Sequence, residues 1–336
     1  MRRGKVYSAK ITPPLLKGAG GIYERTQRKG KSKKQAIGES SQSVFAEDFA
    51  DLQNEGKNAL LTAGNSEDLS FLPSQSVDAV ITDPPYFDNV MYSELADFFY
   101  VWLRLALKER YEYFQSELSY RPEEIVQNEK SGKDVSFFTE GLTNVFKECH
   151  RVLKDEGLML FTFHHNKLWA WENLTKVLLD SGFYVSSAPI VRSEGKSGYH
   201  SQSGNVKYDA CLVCRKRQST SLGFCDWNTL KNRIRQRAIH WLKRIITSEM
   251  ELNEVDIVVI VMGKFLETFT CNYPNIICDG NPLDIHPAIH DMPRIIDELV
   301  GEVTRTEVLK QERKEPVQLN LLKSYFTSSL TLVNKE

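Results

Sequence analysis

The sequence predicts an α/β fold in which a largely parallel sheet is covered by helices and followed by a C-terminal helical module. Three observations lead there. Short apolar runs rich in β-branched residues alternate with helical-period segments through the middle of the chain; two strand-like runs in succession close that series; and from about Gln218 onward the pattern turns helical with no clear strand run.

The chain has 336 residues, enough for one large domain and a smaller appendage, with 43 Lys and Arg against 44 Asp and Glu. The near-zero balance hides a local excess: Met1 to Lys34 carries eleven Lys and Arg against the single acid Glu24. Residues 1–43 therefore read as a basic, flexible arm, ending in "GKSKKQAIGESSQS", which has too little apolar content to repay its own ordering. Six scattered cysteines and no apolar leader point to a reduced, cytoplasmic setting. The apolar run around Val255 to Val261 is far shorter than the roughly 20 residues a bilayer needs, so it reads as core and no membrane is expected.

Order begins near Val44, with a helical pattern at Phe45, Phe49 and Leu52, then a short strand "ALLTAG" with Asn65 and Ser66 just beyond its end. "VDAVIT", residues 77–82, is a buried strand by composition, bounded by Pro73 and Pro84. Asp88 or Asn89 can cap the next helix, where Met91, Leu95, Phe98, Phe99, Trp102 and Leu103 predict a core-facing side. Glu94 and Asp97 fall on its polar side. After a polar insertion, Phe138 to Leu153 predicts a helix that Gly157 terminates. Then follow the strand "LMLFTF", a helix from Lys167 to Ser181 stopped by Gly182, the strand "FYVSSAPIVR", a loop and the strand "KYDACLVCRKR". The last pair implies an antiparallel edge strand. This gives a catalytic region at 44–217 and a helical module at 218–336.

Ligands of such sheets bind beyond the carboxyl ends of the strands, a rule that gathers Asn65, Asp83 to Tyr86, His164 to Asn166 and the loop Arg192 to Asn205 on one face. The chemistry is spelled at Asp83-Pro84-Pro85-Tyr86. An exocyclic amine on a nucleobase is a poor nucleophile because its lone pair is delocalised into the ring. Asp83 and the Pro84 carbonyl can accept its two N–H groups and localise that pair toward an electrophilic methyl. Pro84 and Pro85 restrict the backbone and donate no N–H. Tyr86 offers a face on which a flipped base can stack, worth about 1–3 kcal/mol.

This stretch resembles the D-P-P-Y motif of the amino-methyltransferases. "GNSEDLSFLPSQSVDAVITDPPYFDNVMYSELADFFYVWL", "RPEEIV", "VFKECHRVLKDEGLMLFTFHH" and "DACLVCRKR" are together similar to the C-terminal half of the large prokaryotic adenine-specific DNA methylases, over roughly residues 58–217. The resemblance implies DNA as partner, S-adenosylmethionine as methyl donor and a seven-stranded Rossmann-like sheet. Asp83, Pro84 and Tyr86 would hold the base, Asn65 and its neighbour Ser66 would lie near the donor, and Asp with Tyr leans toward adenine N6 over cytosine N4. The family's glycine-rich donor turn has no good counterpart: "KGAGG" at 17–21 follows no convincing strand. The chain thus reads as lacking the first two strands of that sheet. Either a second polypeptide supplies the donor loop, or the chain is an inactive nucleic-acid-binding remnant.

His164 and His165 are candidates to line the base pocket, with polar loop packing the alternative. Arg192, Lys196 and His200 are candidates for phosphate contact or plain surface. No metal site is expected, and Cys211 and Cys214 fall on opposite faces of one strand. On the tail helix, Leu230, Ile234, Ala238, Leu242 and Ile245 form an apolar stripe, and Lys231, Arg233, Arg235, Arg237, Lys243 and Arg244 form a solvated or DNA-contacting face.

Overall fold

The computed structural model describes residues 8–9 and 44–314, apart from 55, 89, 120–121, 194–205, 219–222 and 249. The basic arm, including the glycine cluster at 17–21, lies outside the described residues except for Ser8–Ala9, as does most of the loop after Arg192. The chain divides into two compact units, one of residues 1–189 and 210–222, the other of 190–209 and 223–336.

In the first unit, β1 (Ser8–Ala9), β2 (Phe45–Ala46) and β3 (Ala59–Leu60) form a small sheet in the order β1-β3-β2. The helix expected from Phe45 is shorter: α1 (Phe49–Leu52) starts only after Asp48, whose side chain caps Asp51 N–H at 2.7 Å. The main sheet contains β4 (Val77–Thr82), β5 (Leu153–Phe163), β6 (Phe183–Ser187) and β8 (Tyr208–Lys216) in the order β4-β5-β8-β6, with β7 (Ile190–Arg192) also paired to β8. β4 and β5 are parallel, whereas β8 runs antiparallel to both β5 and β6. The antiparallel strand is therefore interior, not at the edge. Its alternating residues Tyr208, Ala210, Leu212 and Cys214 are all buried, so one face of the strand is covered along its length. "FYVSSAPIVR" is two strands because Pro189 has no N–H for a ladder.

Between β4 and β5 lie α2 (Tyr92–Leu107) and α3 (Val135–Val152). In α3, Phe138, Leu142, Phe146, Cys149 and Val152 are buried at helical spacing and pack toward α4 (Leu168–Asp180), each large side chain contributing about 1.5–3 kcal/mol. Its N-cap Asp134 accepts from Phe137 N–H at 2.8 Å. The Cys149 thiol, desolvated by this packing, has its pKa pushed up to about 12. Gly157 does not end α3. The helix stops at Val152, Leu153 is already extended, and Gly157 sits inside β5 where the pairing jumps from Val77↔Leu153 to Ala79↔Leu158. A Cβ there would lie 2.9 Å from the Lys154 carbonyl oxygen and 3.1 Å from that of Asp78, so the irregularity requires glycine.

The largest departure is α2. Leu95, Phe98, Phe99, Trp102 and Leu103, from the side expected to be core, are exposed, as is Leu105, while Ser93 and Tyr100 are buried. The inward side is held by polar contacts with the loop that follows. Tyr100 Oη donates to the Ser116 carbonyl at 2.9 Å, Arg104 Nε to the same oxygen at 2.7 Å, and Ser119 N–H to Asp97 at 2.9 Å. Ser93 N–H donates to Glu124 at 2.8 Å. The N-cap is Met91 and not Asp88, and the free N–H of Ser93 in the first turn is met by the Glu124 carboxylate; Asn89 lies outside the described residues.

In the second unit, α5 (Trp227–Thr247), α6 (Glu254–Asn272), α7 (Ile285–His290) and α8 (Met292–Lys314) are accompanied by three short strands, β9 (Cys225–Asp226), β10 (Ile276–Cys278) and β11 (Asn281–Pro282), that the sequence pattern does not announce. The stripe Leu230, Ile234, Ala238, Leu242 and Ile245 is buried against this core. Three cations of α5 are already paired: Lys231 with Asp291, Arg235 with Glu298 and Glu302, and Arg237 with Glu267. Ile257, Val259, Ile260 and Val261 are buried in α6, and among the described residues no helix is long and apolar enough to cross a membrane.

Candidate active site

The parallel pairing of β4 with β5 sets Thr82 opposite Phe161, so the next residue, Asp83, leaves the sheet beside Thr162 and at the same end as His164. Asp83 is exposed, Pro84 buried, and Pro85 and Tyr86 half-buried. The Tyr86 hydroxyl lies 2.8 Å from Thr162 Oγ1 and donates to Asp83 Oδ1 at 3.3 Å, so the Thr162 hydroxyl donates in turn to Tyr86. Such a chain polarises each member and fixes the carboxylate relative to the tyrosine ring. The ring meets Phe163 and His164 edge-on, with centroids 5.3 and 4.9 Å apart.

Phe87 anchors the turn. Its backbone adopts the left-handed conformation, φ 50°, which an L-residue with a bulky side chain rarely takes. Its ring is buried at 1% exposure, stacked on Phe138 at 4.1 Å and edge-on to Phe163, His165 and Trp169. Packing of this aromatic cluster holds the strained residue in place and with it the end of the turn that begins at the exposed Asp83.

His165 belongs to the support of the turn. It is buried, its Nδ1 accepts the Lys167 N–H at 3.1 Å, and its Nε2 faces Asp88 at 3.6 Å. The accepting Nδ1 puts the proton of the neutral ring on Nε2, toward Asp88. Burial holds its pKa below the usual histidine value, with Asp88 pulling the other way. The His165 carbonyl accepts from Trp171 Nε1 at 2.9 Å. His164, half-buried against Tyr86, is the histidine at the site itself.

Asn65 and Ser66 follow a strand of a different sheet. β3 belongs to the small sheet and not to that of β4, so the strand-end rule does not bring Asn65 and Ser66 to Asp83. The Asn65 side chain is engaged locally, accepting Glu67 N–H at 3.0 Å and donating to Glu67 Oε2 at 3.2 Å. Arg192 ends β7 in the second unit and is exposed. Among the described residues, no three His, Cys, Asp or Glu side chains are grouped to hold a metal ion.

Three residues at the site escape sequence reading: Thr162, Phe87 and Asp88. The signal for Thr162 is a lone hydroxyl in the apolar "LMLFTF", placed by alternation opposite Phe161 and Phe163. Nothing in the local sequence marks Phe87 as left-handed.

Among curated proteins, no relative matches this chain. A family model described as DNA methylase, of the N6/N4 methyltransferases, matches residues 77–257, more than half of the chain and inclusive of β4 and the motif. The chain belongs to this DNA methylase family.

Proposed function

We propose that this DNA methylase transfers a methyl group from S-adenosylmethionine to an exocyclic amine of a DNA base, adenine N6 ahead of cytosine N4. The observation that carries the reading is the placement of an exposed Asp83, oriented by Tyr86 and Thr162, at the carboxyl end of β4.

The described residues fit the amine side of the reaction, and the steps assigned concern that side only. A flipped base stacks on Tyr86. Asp83 accepts one amino N–H and the Pro84 carbonyl the other, which draws the nitrogen lone pair out of the ring as positive charge develops on it. The proton leaves after the N–C bond forms, so no base is needed beforehand. His164 borders Tyr86, where it can contact the base or its phosphate.

Asn65 and Ser66 fit the donor poorly, given the commitment of Asn65 to Glu67, and no step is assigned to them. We assign the donor contacts to a second polypeptide that carries the glycine-rich loop and pairs along β4. What supports this is that among the described residues β4 ends the strand order β4-β5-β8-β6 and that Ile81 on it is 70% exposed.

The test is mass analysis of nucleosides from the DNA of a methylation-free host expressing the full chain or its Asp83→Ala variant. N6-methyladenine with the wild type and not the variant supports the role of Asp83, and its formation with no second polypeptide supplied overturns the donor assignment; N4-methylcytosine moves the substrate to the other base. Identical profiles in a host that also supplies the donor-bearing polypeptide refute catalysis and favour a nucleic-acid-binding remnant.

A further inference from the structure

The inverted helix α2 requires an occupant. Its polar side is fixed inward by Ser93, Asp97, Tyr100 and Arg104, so rotation cannot bury the apolar side without breaking those bonds. The outward residues are large, with Phe98 69% and Trp102 67% exposed. Leu95, Phe98, Trp102 and Leu105 follow the alternating spacing of three and four residues that makes a helix-pairing seam, and Phe99 flanks it. The patch offers on the order of 700–900 Å² of apolar surface, beyond what a typical monomer exposes and near what one partner brings to a standard interface.

We propose that this face is where a second copy of the chain docks, α2 against α2 across a two-fold axis. The reading is independent of the methylation chemistry. A two-fold interface needs one patch complementary to itself, and an uncharged seam of this spacing satisfies that condition without like-charge repulsion. Aromatic residues in the middle and charges only at the ends match the composition of interface cores. The charged residues Glu94, Lys108 and Glu109 sit at the two ends of the seam, with Lys108 already paired to Glu109 at 3.9 Å, so no charge is buried in its middle.

Sedimentation velocity and light scattering of the full chain, from about 1 to about 100 µM, test this. A species of twice the 38.5 kDa chain mass is expected. Phe98→Glu with Trp102→Glu weakens association about a hundredfold, with far-UV circular dichroism unchanged because both side chains are exposed. Leu105→Lys does so more mildly and serves if the double variant misfolds. Phe224→Glu, an exposed aromatic of the second unit, leaves the dimer intact. A monomeric wild type over the whole range overturns the proposal, whether another protein or the chain's own residues cover α2. A dimer that survives the α2 substitutions overturns it equally.

Discussion

Replacing Phe87 by alanine and, separately, by glycine separates the two contributions this residue makes. The alanine variant loses a fully buried ring that contacts Phe138, Phe163, His165 and Trp169, which costs about 3–5 kcal/mol. At an ordinary position glycine would be worse still, by about 0.5–1 kcal/mol of backbone entropy. At φ 50° the order reverses: an L-residue pays roughly 1–2 kcal/mol for the left-handed conformation and glycine does not. Phe87→Gly should therefore be more stable than Phe87→Ala by about 0.5–1 kcal/mol. Urea unfolding of the full chain measures both, and fluorescence of Trp169, whose ring lies 5.0 Å from that of Phe87, follows the local change. A glycine variant less stable than the alanine variant, or an alanine variant within about 1 kcal/mol of wild type, would refute the claim that packing holds a strained turn.

Gly157→Ala forces a methyl against two backbone oxygens, at 2.9 and 3.1 Å, and should lower stability by about 1–3 kcal/mol, read as a fall of several degrees in the thermal midpoint. His165 gives a pH signature. Its pKa is depressed in the fold, so between that value and the ordinary one the unfolded chain binds more protons, and stability falls as pH drops through this window. Comparing unfolding free energies of wild type and His165→Gln from about pH 7.5 to 5 removes the parallel contribution of His150; identical slopes in the two would contradict a buried neutral imidazole.

Much of the site is legible in sequence because its chemistry is local. "VDAVIT" is β4 to the residue, and Asp83 to Tyr86 follow it without interruption. What the sequence withholds depends on partners distant in the chain. Helical spacing locates the apolar stripe of α2 correctly but cannot say which side is inward; that is decided by the carbonyls of Tyr113, Gln115 and Ser116, the Ser119 N–H and the Glu124 carboxylate, which capture the polar side. Apolar runs likewise do not state which sheet they join, and Ala59–Leu60 pairs with β1 and β2 rather than with β4. A glycine after a helical stretch is a fair stop signal, yet Gly157 answers to Asp78, far upstream in the chain.

The interior position of β8 also orders events during synthesis. Translation delivers β4, β5, α4 and β6 before β8, but among the described residues β6 has no strand neighbour except β8. Until residue 216 has left the ribosome, β6 can only wait against α4, and the buried faces of Phe183 and Val185 lack the strand that completes their cover. The sheet closes from the middle by its last-made strand, so any pause or truncation before Tyr208 strands a sticky half-product rather than a smaller stable fold.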